Sequence, residues 1–206
     1  MLGRTEFHNV AGTRCATDFV ELPSILMEHF LASGPVQSLL TNSPTTPPVI
    51  SSPSRGTLPA IDAHTQIILA TLDQLYHSSK AGEQDFSSSK VLAELQDSLG
   101  IFPPVPGTAW QTHFSHLYGY GATYYSYLFD QAIASRVWSQ LFESDPLNRE
   151  MGERYKNEVL IHGGGKEPWE MVGRLLLDPM IEVGDHNAME AVGRWGVDHS
   201  ASTQTL

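Results

Sequence analysis

At 206 residues, 41% hydrophobic and 17% charged, the chain is long enough for one large domain or two small ones with a buried core. Its 23 acidic and 12 basic residues give a formal net charge of −11, which argues against nucleic acid or an anionic membrane as main partner and mildly favours cationic substrates or peptides. Cys15 is the sole cysteine, so an intrachain disulfide and a cysteine-based metal site are excluded, and no run of roughly 18 apolar residues is present to span a membrane.

The first twenty residues include Glu6 and Asp18 and lack an uninterrupted apolar segment, unlike a secretory signal or a basic transit peptide. Helical periodicity dominates from there and strand signals are weak, so the expected fold class is all-α. Ser24 can cap a short helix over Ile25 to Leu31. Residues 42–59, rich in Ser, Thr and Pro, cannot bury enough apolar surface to offset their ordering entropy and read as a flexible loop, with a proline-rich docking motif as the alternative. Residues 60–79 carry Ile61, Ile68, Leu72, Leu75 and Tyr76 at helical spacing. A second helix over 88–98 stops at Gly100 and Pro103-Pro104. One long helix is expected over 120–143, from Tyr124, Leu128, Ala132, Val137 and Leu141. Asp145-Pro146 reads as an N-cap with proline following, for a helix that ends at Gly163-Gly164-Gly165. Pro168 opens another helix to Leu177, a short one covers 186–195, and the tail from Asp198 reads as frayed. The expected organisation is 1–41, a loop at 42–59, a helical subdomain over 60–197, and a tail at 198–206.

Two constellations carry chemistry. Asp18 and Glu21, three apart, would share a helix face among Phe19, Val20 and Leu22. Such carboxylates are solvated acids on an amphipathic turn, or else are paired, hydrogen-bonded or metal-bound. His116, Tyr120, Tyr124 and Tyr127 recur at steps of four, four and three, which on a helix lines four polar-tipped rings along one face. Core packing explains such a stripe, and so does a wall of hydrogen-bond donors around a ligand. Gly119 and Gly121, threaded among them, would let a backbone approach or break the first turn. His113 and His116 form a weak H-x2-H metal spacing. His162 with its three glycines lacks the partners of an esterase oxyanion loop and reads as a glycine C-cap.

These segments resemble the thimet-oligopeptidase-like family of zinc metallopeptidases. The resemblance rests on Gly12-Thr13 through Asp18-Phe19-Val20-Glu21-Leu22-Pro23-Ser24 to Glu28, and on Phe114-Ser115-His116-Leu117 through Tyr127. Asp145-Pro146-Leu147-Asn148-Arg149, Gly152-Glu153-Arg154-Tyr155 and His162 to Gly165 follow in the family's order. It implies that Glu21 is the third Zn²⁺ ligand, beside two histidines of an H-E-x-x-H helix whose glutamate is the general base. Asp18 would orient a ligand histidine. His116, Tyr120, Tyr124 and Tyr127 would stabilise the transition state and position substrate, with Tyr118 and Tyr125 left to packing.

No H-E-x-x-H occurs in these 206 residues. In the family it falls just before the position matched by Met1, so the expected partner is a missing N-terminal part of the same enzyme. Within the family the chain resembles members that process imported precursors, which implies zinc endopeptidase activity that removes an N-terminal octapeptide from precursor proteins in the mitochondrial matrix. The alternative is a catalytically inactive helical fragment, or pseudoenzyme, that binds peptide or a partner without zinc. The Ser/Thr/Pro-rich stretch departs from the family pattern.

Overall fold

The computed structural model describes residues 2–41 and 59–201. Among the described residues there are helices and turns and no strand, as the periodicity requires. In chain order the helices are α1 (Leu22–Ala32), α2 (Gly34–Thr41), α3 (Pro59–Tyr76), α4 (Ser88–Leu99) and the single turn α5 (His116–Gly119). They continue with α6 (Ser126–Val137), α7 (Arg149–Tyr155), α8 (Pro168–Leu176), α9 (Pro179–Val183) and α10 (His186–Ala201). None is long and apolar enough to cross a membrane among the described residues. The expected loop at 42–59 lies almost wholly outside the described residues.

The chain divides into two compact units, residues 1–57 with 129–206, and residues 58–128. In the first unit, α1 begins three residues earlier than expected, with Pro23 in its first turn, where a missing N–H costs nothing. Ser24 is therefore inside the helix and is not its cap. Leu22 and Leu26, one turn apart, are fully buried, each worth about 2 kcal/mol on burial. They join Ile133, Val137, Met171, Leu175 and Ile181 in the main core. Phe30 meets Trp138 edge-on at 5.1 Å and Phe142 at 4.8 Å.

Both α6 and α7 run on into a wider π turn, over Trp138–Phe142 and Lys156–Leu160. Each is closed by an i→i−5 bond, from Glu143 N–H to Trp138 O at 2.9 Å and from Ile161 N–H to Lys156 O at 3.1 Å. The cap expected at Asp145 falls instead on Asn148, whose side chain accepts the Met151 N–H at 3.1 Å. Asp145 instead makes the turn before the helix, its side chain accepting the Leu147 N–H and its carbonyl the Asn148 N–H. At the other end, α10 stays helical through Ala201, past the fraying point expected at Asp198.

The glycines after His162 do more than end a helix. Gly163 takes φ +51°, and a Cβ on Gly164 would lie 2.1 Å from Arg14 O. Gly164 N–H donates to Val10 O at 2.8 Å, and Arg4 N–H donates to Ile161 O at 2.7 Å. The segment leading to Glu21 is thus pressed backbone to backbone onto this loop.

The second unit packs α3 on α4 around Leu72, Leu92 and Leu95, with Ile68, Leu75 and Tyr76 at the margin. Ser87 caps α4 by accepting the Lys90 N–H, and Tyr76 donates its hydroxyl hydrogen to Ser88 O at 2.6 Å. Tyr118, assigned to packing by its sequence position, is instead 98% exposed, because its side chain leaves α5 away from the other rings.

Candidate functional site

The backbone around the tyrosines is not the single helix that their spacing suggests. α5 ends after one turn at Gly119, Ala122 takes the left-handed region at φ +62°, and helix resumes at Ser126. The four expected rings nevertheless converge. His116 lies 5.7 Å from Tyr120, 5.4 Å from Tyr124 and 6.0 Å from Tyr127, centroid to centroid. Tyr127 is 6.0 Å from Tyr120 and 5.0 Å from Tyr124, and Phe114 stands 5.1 Å from both His116 and Tyr124. These are ordinary aromatic packing distances, so the cluster is both a small core and a group of polar tips. Tyr124 is the buried member and donates its hydroxyl hydrogen to Gln66 Oε1 at 3.0 Å. Burial pushes its phenol pKa up, with the Gln66 bond working the other way. His116, Tyr120 and Tyr127 are half-buried.

What holds this turn open is a residue that the sequence reading missed. Asp73 is fully buried on α3. Its Oδ1 accepts the Ala122 N–H at 3.0 Å and its Oδ2 the Tyr124 N–H at 2.9 Å. His77 Nδ1 lies 2.9 Å from the same Oδ1. Gln74 Nε2 donates to Ala122 O at 2.9 Å. The available signal was a polar stripe: Gln66 and Asp73 on α3 and His77 just past its end recur at steps of seven and four, a helical spacing.

Glu21 belongs to the first unit. Asp18 and Glu21 fall in the turn over 17–21 and not on a helix as expected, Glu21 being the residue that enters α1. Ser24 Oγ lies 2.8 Å from Glu21 O and 2.9 Å from Glu21 Oε2, so its single proton serves one at a time. Glu21 N–H donates to Asp130 Oδ2 at 3.2 Å, across 109 residues of sequence. Asp130 is fully buried. Burial pushes its pKa up to about 8; the Glu21 and Leu22 N–H groups oppose this, and the charges of Asp18 and Glu21 add to it. Among the described residues, Asp130 Oδ1 and the buried Tyr155 hydroxyl have no hydrogen-bond partner. The Cys15 thiol is likewise raised, first by burial and then by the charges of Asp130 and Asp18, against a lowering backbone hydrogen bond, which makes it a poor nucleophile.

A catalytic zinc needs three protein ligands and an open position. Among the described residues no group of three or more His, Cys, Asp or Glu side chains is placed to hold a metal ion. His113 and His116 form no such group either. Glu21 offers one carboxylate, so the described residues by themselves do not fit a zinc site.

The comparisons with known proteins agree with one another. The sequence profile of peptidase family M3 matches residues 1–190. A "Mitochondrial intermediate peptidase" of Malassezia globosa is 57% identical over 215 residues, covering 100% of this chain and 26% of that protein. Proteins of the same name from Schizophyllum commune and Pleurotus djamor are 58% and 56% identical, each over 96% of this chain and 26% of their own length. The chain therefore spans about a quarter of the length of the curated relatives it matches.

Proposed function

Because the chain belongs to peptidase family M3, we propose that it supplies the transition-state side, and one metal-ligand carboxylate, of a mitochondrial intermediate peptidase. The observation that carries this reading is the convergence of Tyr120, Tyr124 and Tyr127 within 6.0 Å of His116. When a peptide carbonyl is attacked, negative charge builds on its oxygen, and prepositioned O–H and N–H donors stabilise that charge best in a water-poor setting. His116, Tyr120 and Tyr127 are the donors in this assignment. Tyr124, whose hydroxyl hydrogen goes to Gln66, braces them as a ring. Removal of one such donor costs on the order of 10²–10³ in kcat.

Glu21 is the proposed carboxylate ligand, with its backbone fixed by Asp130 and its side chain steadied by Ser24. Zinc, when bound, supplies Lewis-acid polarisation of the scissile carbonyl and an activated water. The remaining ligands and the general base come from an H-E-x-x-H sequence that these 206 residues lack. The substrates in this reading are imported precursor proteins, shortened by an N-terminal octapeptide in the mitochondrial matrix.

A second reading, a peptide-binding helical protein without chemistry, draws on the lack of a three-ligand group among the described residues. Metal analysis of the purified chain, together with a fluorogenic octapeptide-bearing substrate, tests the proposal. The expected result is no stoichiometric zinc and no cleavage by the chain alone. Stoichiometric zinc with turnover would show that the chain is a complete peptidase and that the division of labour stated above is wrong.

A further inference from the structure

Residues 116–137 have two ways to continue. The spacing of their rings and apolar residues suits one uninterrupted helix, in which the Ala122 N–H would bond to Tyr118 O and the Tyr124 N–H to Tyr120 O. In the structure both amides go elsewhere, to the two oxygens of the buried Asp73 carboxylate, at 3.0 Å and 2.9 Å. A carboxylate that accepts two backbone N–H groups outcompetes a neutral carbonyl for them, because charge-assisted bonds are roughly twice as strong.

His77 completes the clasp. Its Nδ1 faces two oxygens of Asp73, the backbone carbonyl at 2.9 Å and Oδ1 at 2.9 Å. Both are acceptors, so Nδ1 carries the proton. The other edge of the ring closes over Gly121, where an added Cβ would lie 2.6 Å from Nε2. Gln74 donates to the Ala122 carbonyl and Gln66 accepts the Tyr124 hydroxyl hydrogen, so three residues of α3, with His77 directly after its end, grip residues 121–124.

We propose that Asp73 and His77 are positioning residues: they hold residues 120–125 in a turn, in place of the continued helix that the ring spacing suits, and so bring His116, Tyr120 and Tyr127 together. The catalytic meaning of this device rests on the oxyanion reading given above, whereas its structural content does not.

The test uses the 206-residue chain carrying Asp73→Asn, which keeps the side-chain shape and removes the charge. Nuclear magnetic resonance follows the Ala122 Cα shift, which separates turn from helix, and the His116 ring protons, which sense the four aromatic rings around them. Both signals are expected to move, while the methyl signals of Leu72, Leu92 and Leu95 stay in place. Unchanged Ala122 and His116 signals would overturn the inference. Should Asp73→Asn unfold the second unit, Gly121→Ala displaces His77 with Asp73 intact and decides by the same signals.

Cleavage is read in a peptidase rebuilt by joining this chain to the remaining three quarters of a relative, with an expected tenfold or greater fall in kcat and little change in KM. If the His116 signals move and kcat does not, the positioning stands and the oxyanion assignment fails. If the signals hold, the positioning fails and the oxyanion assignment is untouched.

Discussion

Ala122 takes φ +62°, a region that its Cβ makes costly by about 1 kcal/mol. Ala122→Gly removes that cost while leaving the bonds of residue 122 to Asp73 and Gln74 in place. Thermal denaturation should show a Tm rise of about 2–4 °C for a chain of this size, and a fall would mean that the strain is not there. Asp130 gives a pH prediction with a definite sign. Its folded pKa is raised to about 8, so the folded state holds a proton that the unfolded chain releases near pH 4. Its contribution is fully present below about pH 4 and is lost as pH rises to about 8, by up to roughly 5 kcal/mol. Asp130→Asn, which keeps an oxygen for the Glu21 N–H, should flatten that slope in urea titrations across the same window. An equally steep slope in the variant would assign the effect to other groups. Glu21 and the four rings stood out because their residue types and spacing are local. Asp73 and Asp130 did not, because what distinguishes them is burial against segments about 50 and 109 residues away.

Helices were legible where their ends are written locally. Gly100 after α4, Pro168 at the start of α8 and the apolar period of α3 all fell close to place. The helix through the tyrosines was not: Gly119 and Gly121 permit a break, but the turn itself is imposed by Asp73 of α3, which nothing local announces. The π turns after α6 and α7 are equally silent, as an i→i−5 bond leaves no compositional mark. The glycines at 163–165 spell a cap in sequence, and their docking role appears only with the 10–14 segment against them. Gly164→Ala puts a methyl group 2.1 Å from Arg14 O. It should destabilise the first unit by about 1–3 kcal/mol, measured as a lower urea midpoint with an unchanged m-value. Full retention of stability would mean that this contact is not tight.

At the scale of the molecule, each unit has its own apolar core, and each carries one part of the proposed chemistry. Glu21 enters α1, whose Leu22 and Leu26 lie in the first core, and the ring cluster is tied to α3 through Asp73 and Gln66. The all-α class and the family were legible from the sequence, because helical periodicity and an ordered series of motifs survive without any tertiary information. The division into 1–57 with 129–206 and 58–128 was not, since it joins the two ends of the chain across an intervening unit. In the proposed assignment the His116 cluster stabilises the oxyanion of a peptide bond under attack. The decisive quantity is kcat for an octapeptide-bearing substrate in the rebuilt peptidase, comparing Tyr127→Phe and Tyr120→Phe with the parent. A loss on the order of 10²–10³ in kcat for at least one variant, with KM nearly unchanged, is the predicted result. Parental kcat in both variants would contradict it.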